Sequence, residues 1–262
     1  MLNQPSISRS EVAQPRLLAR LIQLTLTVMF ILALWQGAIA VFELPSFILP
    51  SPQQVFLKAL ARYDVLLAHG WVTLQEILFG LLLGLNCGLF FALQMLLFQP
   101  VKRWLLPVLI ISQAIPVFAL APIFMLWLGY GIASKVVIAA IIIFFPMTTC
   151  AYDGLTSTPQ GYLDLAKTMN ASRWQTLIQV QIPHALPSIA SGIRVACVVA
   201  PIGAITGEWV GSSSGLGYLM LQANARMMIS EMFAALLVLS LISLSLYFSV
   251  DTLLKRWISW KP

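Results

Sequence analysis

The sequence predicts an all-α polytopic membrane protein with about six transmembrane helices. Three observations carry that prediction. Hydrophobic residues make up 60% of the 262 residues and charged residues only 9%, against roughly 25% charged in soluble domains. Six stretches are apolar over lengths near the ~20 residues a helix needs to cross ~30 Å of hydrocarbon. The Lys and Arg residues fall unevenly on the two sides that those stretches define.

Leu21–Phe42 is charge-free and long enough to span. Its basic flank and its Ala38-Ile39-Ala40 triplet look like a cleavable leader, but the apolar run exceeds the roughly 7–15 residues of a leader core. It reads as an uncleaved anchor. Ile77–Phe98 is charge-free, and so is Trp104–Gly129, which carries Pro107, Pro116 and Pro122. Val136–Tyr152 is shorter and contains Pro146; Ile189–Gly207 is apolar apart from Arg194; Met232–Val250 is charge-free. With the N-terminus inside, 11 Lys and Arg face the cytoplasm and 4 (Lys58, Arg62, Lys135 and Arg226) face outward. The positive-inside rule then puts both termini and the 153–188 loop in the cytoplasm. The organisation expected is a tail at 1–20, a membrane domain at 21–250 and a tail at 251–262. Topology accounts for the net charge of +6, so nucleic acid is not needed as a partner.

Between the first two spans, Ser51 and Pro52 read as a cap and first residue of a short amphipathic helix at the outer interface. It either packs on the bundle or meets an external binding protein. The third span is broken by Gln113-Ala-Ile-Pro116 and by Pro122. Proline at membrane depth is tolerated where neighbours or cavity water satisfy the freed carbonyls. Gln113 and Pro116 therefore either line a path or mark a packing kink. The fifth span ends in Gly207-Glu208-Trp209 and a Gly/Ser loop. Glu208 is read in two ways, as a functional carboxylate at depth or as a water-exposed interfacial one. Arg194 lies ~21 Å from it along one helix and is expected to snorkel to the cytoplasmic face.

Cys87, Cys150 and Cys197 have no paired spacing and read as small hydrophobes. His69 and His184 are isolated at span edges, where interfacial or capping roles fit better than catalysis. No metal-ligand set, catalytic constellation or carboxylate cluster is visible within the spans. G-x-x-x-x-G-K-[ST], H-E-x-x-H and G-x-S-x-G are all missing. The chain reads as a non-enzyme without its own cofactor.

The most specific local pattern is Asp164 to Pro183, DLAKTMNASRWQTLIQVQIP. Thr158-Pro159 reads as a helix start, and the helix is expected to stop at Asn170. Ser172 to Gln175 reads as a capping box opening a second helix, ending before Pro183. This spacing resembles the EAA loop of ABC-importer permeases, E-A-A-x3-G-x9-I-x-L-P. Asp164 stands for Glu, Leu165 for the first Ala and Asn170 for Gly, while Ala166 and Pro183 match.

Beyond the loop, FILPSPQQV (47–55), QAIPVFALAPIFMLWLGYG (113–131), IFFPMTTCAYDGL (143–155) and GEWVGSSSGLGYLM (207–220) resemble type I ABC-importer permeases of the nitrate/sulfonate/taurine group. The last stretch, with QANARM (222–227), is most similar to permeases for hydroxymethylpyrimidine and other thiamine precursors. The resemblance implies a bacterial inner-membrane permease subunit in a pair, with itself as the expected mate. It also implies partner ATPase subunits that bind the ATP, and an extracytoplasmic binding protein. Asp164, Leu165, Ala166, Asn170 and Pro183 would serve ATPase coupling through a cytoplasmic helix-turn-helix. The alternatives are a nitrate, sulfonate or taurine permease, and a secondary transporter or channel working without an ATPase.

Overall fold

A computed structural model describes residues 17–258. The expected tail at 1–20 lies mostly outside the described residues, as do the last four of the C-terminal tail. The described chain is all helix and turn: α1 (Leu17–Phe42), α2 (Pro52–Ala61), α3 (Tyr63–Leu97), α4 (Gln99–Ala114), α5 (Val117–Leu128), α6 (Ile132–Thr156), α7 (Gln160–Thr168), α8 (Arg173–Thr176), a π-helical turn (Leu177–Gln181), α9 (Ile182–Gly211), α10 (Leu216–Ala225) and α11 (Ile229–Trp257). Five helices are long and apolar enough to cross a membrane. A sixth span forms only if α4 and α5 are counted together across a 107° bend.

Proline chemistry makes that bend. Ile115 is extended (φ −88°, ψ 119°), as the residue before a proline prefers, and α5 starts directly after Pro116. The stretch expected as one span is therefore two helices meeting at an angle.

Pro183 does the opposite of what its position suggests, and the expected helix end before it is wrong. The chain stays helical from Arg173 through Gly211, over 39 residues. Proline lacks an N–H and crowds the carbonyl four residues back. Here the preceding turn widens, so that the Ile182 N–H donates to the Leu177 carbonyl five residues back. Such π-bulges absorb a ladder defect without ending the helix.

The bundle is built around α6, which lies between α3 and α9. Gly80, Gly84 and Gly88 place a bare face every fourth residue of α3 against α6. A Cβ on Gly80 would lie 2.6 Å from Ala139 Cβ, and one on Gly203 of α9 would lie 2.6 Å from Ala139 Cα. Ala139 is thus pinched from both sides. Small residues at such crossings let helices approach closely where lipid supplies no hydrophobic drive for association. Ile77, Leu81, Ile143, Ala196, Cys197, Ala200 and Ala204 fill the space between. Large exposed side chains such as Leu26, Phe30, Leu82 and Phe248 cover the outside, as a lipid-facing surface requires.

Both expected caps on the short elements are present. Ser51 and Gln54 form a capping box on α2, and Ser172 and Gln175 form one on α8. Thr158 does not cap α7: its hydroxyl donates to the Leu155 carbonyl at 3.4 Å, and Pro159 holds the N-cap position without a side-chain bond. The α10 helix occupies part of what reads from sequence as a Gly/Ser loop, and α11 continues seven residues beyond the expected span end at Val250.

Candidate coupling hairpin and buried carboxylate site

At one end of the bundle, α7 and α8 make a tight hairpin. Asn170 sits in the left-handed region with φ 56°. The Ala171 N–H donates to the Ala166 carbonyl (2.9 Å) and the Asn170 N–H to the Lys167 carbonyl (3.0 Å). This pair of bonds is the Schellman arrangement, and it explains how Asn fills a position where glycine is usual. Asp164 is exposed and accepts from Lys167 Nζ at 3.0 Å and Gln160 Nε2 at 3.2 Å. The Lys167 bond, with the Gln160 bond behind it, holds the Asp164 carboxyl below the usual carboxylate range. Ala166 is buried, and its carbonyl is the one held by the Ala171 N–H. Leu165 is 58% exposed, and with Tyr162 and Met169 it forms an exposed stripe at i, i+3 and i+7, extended by exposed Trp174. Pro183 lies beyond the π-turn, within α9.

At the opposite end, α3, α6, α9 and the start of α10 meet around Glu208. This residue is 1% exposed, so the reading of a water-exposed interfacial carboxylate is overturned. Thr73 Oγ1 donates to Glu208 Oε1 at 2.6 Å, and the Gly217 N–H donates to Glu208 Oε2. A Cβ on Gly215 would lie 2.2 Å from the Glu208 carboxyl carbon, and Gly215 has φ 109°, so that position needs glycine twice over. The Leu216 N–H donates to Thr73 Oγ1 (2.8 Å) and the Gly215 N–H to His69 Nδ1 (3.0 Å). His69 therefore holds the backbone where α10 begins.

Two partners of Glu208 are missed by sequence reasoning. Glu76 lies one residue before the expected second span and Lys135 one before the expected fourth. Both are buried, at 0% and 3% exposure, and Lys135 Nζ donates to Glu76 Oε1 at 2.7 Å. Glu76 follows Thr73 by three residues on α3, which puts it on the helix face that meets Glu208, and Lys135 packs against Gly207, next to Glu208. The spans therefore do contain a carboxylate cluster, and Lys135 belongs to the protein interior rather than to an outer loop. Arg194 is likewise paired rather than snorkelling alone: its Nε donates to Asp251 Oδ1 at 2.7 Å, and Lys255 shares the same carboxylate. No group that could hold a metal ion occurs among the described residues.

Of the other path candidates, Pro116 forms the α4–α5 corner, and the side chain of Gln113 lies outside the described residues. Two residues past Pro116, Phe118 reaches a cavity of about 680 Å³ bounded by α5, α9, α10 and α11. Trp209, next to Glu208, lines it too, with Thr206, Ser240 and Ser243.

Residues 77–258 match the family described as "Binding-protein-dependent transport system inner membrane component". The chain belongs to that family. A probable ABC transporter permease protein of Haemophilus influenzae is 54% identical over 91% of this chain and 98% of its own. A formylaminopyrimidine transport permease protein of Halalkalibacterium halodurans is 36% identical over 90% and 95% of the two chains. A riboflavin transport system permease protein of Chloroflexus aurantiacus is also 36% identical, over 89% of each. This chain is accordingly the membrane-spanning permease subunit of an ABC importer and not an enzyme. It works with ATPase subunits and a binding protein.

Proposed function

We propose that this permease carries a small, flat nitrogen heterocycle, a thiamine precursor such as hydroxymethylpyrimidine. The observation that carries the reading is the similarity to a permease named for formylaminopyrimidine. The cavity supports it. Phe118 and Trp209 offer aromatic faces, to which a flat ring can stack. The hydroxyls of Thr206, Ser240 and Ser243 donate to carbonyls of their own helices, which leaves oxygen lone pairs to accept from a ring amine. No Lys or Arg lines the cavity, which disfavours nitrate, sulfonate or taurine cargo.

In this reading two copies of the chain form the path, with both termini and the hairpin in the cytoplasm. Pro116 turns the chain at the α4–α5 corner beside the path, and Gln113, at the end of α4, is a path residue in this reading. A cysteine introduced at Ser157 should be labelled only from the cytoplasmic side; labelling from outside intact cells would overturn this orientation.

The exposed stripe of Tyr162, Leu165 and Met169 docks the ATPase. Asp164 sits beside it, and Ala166, Asn170 and Pro183 hold the hairpin's shape. Cells with this chain should take up labelled hydroxymethylpyrimidine, and cells without it should not. Leu165→Glu should lower that uptake, and co-purification of the ATPase, by about tenfold or more, with the fold intact because the residue is exposed. Unchanged ATPase association in Leu165→Glu removes the docking role. Equal heterocycle uptake with and without the chain, together with lost sulfonate or nitrate import in the deletion, moves the cargo to that class.

A further inference from the structure

We infer that the Glu76–Glu208 pair is a proton-binding site, in which Glu76 carries a proton on Oε2 and donates it to the Glu208 carboxylate. The inference rests on which atoms have donors. Glu208 accepts on both oxygens, from Thr73 on Oε1 and from the Gly217 N–H on Oε2. A carboxyl group served by donors on both oxygens is satisfied as the anion. Glu76 is served on one side only: Oε1 accepts from Lys135 Nζ, while Oε2 is buried and has no partner. A buried polar atom without a partner costs about 1–3 kcal/mol. A proton on Oε2 turns that orphan into a donor, with the Glu208 carboxylate, held against the same helix by Thr73, as its acceptor.

Charge counting agrees independently. Glu76, Lys135 and Glu208 are all at most 3% exposed. Two carboxylates against one ammonium would leave a net negative charge among buried groups, which burial penalises strongly. One proton makes the set neutral, with Lys135 positive, Glu208 negative and Glu76 a neutral acid. The other polar groups packed around the set are accounted for. Thr73 is spent on Glu208, at 2.6 Å against 3.3 Å to the His69 carbonyl. His69 Nδ1 accepts from the Gly215 N–H, and its ring stacks on Tyr218. The proton thus sits where three long helices and the α9–α10 turn join, and it lets the Glu208 anion hold that turn without a second negative charge beside it.

The purified permease in lipid or detergent, with its glutamates carbon-13-labelled at the carboxyl group, tests this by infrared spectroscopy. The expected result at neutral pH is an isotope-shifted carboxylic-acid C=O band that moves in heavy water and disappears in Glu76→Gln. Of the remaining glutamates, buried Glu231 also has an Oε2 without a hydrogen bond, but it faces two cations, Lys58 at 3.5 Å and Arg62 at 3.4 Å, which hold it as the anion, so it should give no such band. A second measurement is thermal. In Glu76→Gln the new side-chain amide can donate where the acid did and still accept from Lys135, so this variant should melt within about 2 °C of the wild type. Glu208→Gln replaces an acceptor oxygen by a donor facing Thr73 or Gly217, and should melt about 5 °C lower or more. A wild type without an acid band overturns the site, and so does the reverse order of the two variants. If neither variant can be purified, the band in the wild type alone decides.

Discussion

Lys135→Ala is expected to destabilise the permease by about 3–5 kcal/mol, the cost of leaving a buried charge without its partner. The ammonium is 3% exposed and lies 2.7 Å from Glu76 Oε1. Without it, the Glu208 anion has no buried counter-charge. Packing also contributes, because the Lys135 stem covers Gly207 closely enough that an added Cβ there would lie 3.1 Å from it. Lys135→Met separates the two effects, since it restores most of the stem and none of the charge. Both variants should unfold at lower denaturant concentration or temperature than the wild type. A Lys135→Met protein as stable as the wild type would show that the charge contributes nothing and only the stem matters.

The second large effect lies at the crossing of α3, α6 and α9. Gly80→Ala would force a Cβ to 2.6 Å from Ala139 Cβ, well inside van der Waals contact. Overpacking of this kind typically costs about 1–3 kcal/mol. Because the clash is side chain against side chain, Ala139→Gly should restore most of the loss in the double variant. Gly203→Ala meets the Ala139 backbone as well, with its added Cβ at 2.6 Å from Cα. Ala139→Gly should rescue it much less. A double-mutant cycle over Gly80, Gly203 and Ala139 measures both couplings. Equal rescue of the two glycine variants would mean that the helices shift apart rather than clash locally.

The parts of this molecule legible in the sequence are those set by local rules or by the solvent. The capping boxes at Ser51 and Ser172 involve residues three apart, so pattern alone finds them. Asn170 can be read as a helix end because few residues tolerate its backbone angle. The apolar runs follow from the thickness of the bilayer. What escaped involves partners far apart in sequence. Lys135 and Glu76 are 59 positions apart and Arg194 and Asp251 are 57 apart; judged alone, Glu76, Lys135 and Asp251 each look like a span boundary and Arg194 like a lone charge inside a span. Counting apolar residues ends a span at a charge, whereas the fold keeps the helix going once that charge is paired inside the protein. The Pro183 error has a different origin. Proline rules describe what one residue forbids, and the π-turn before it relocates the forbidden bond rather than breaking the helix. At Glu208 the sequence left two meanings open, and the Gly215-Leu216-Gly217 turn folding back over the carboxylate excluded the exposed one.

The widened turn at Leu177–Gln181 has a mechanical consequence. By sparing the helix at Pro183 it joins the hairpin to the Glu208 end in one rod of 39 residues, ~58 Å long at ordinary helical rise. A continuous helix of that length has the reach of a lever. Pivoted at one end, a tilt of about 5° sweeps the other through ~5 Å, about one helical turn. A chain that stopped at Pro183 would have had a loose joint there, and a push on the α7–α8 hairpin would have died out within a few residues.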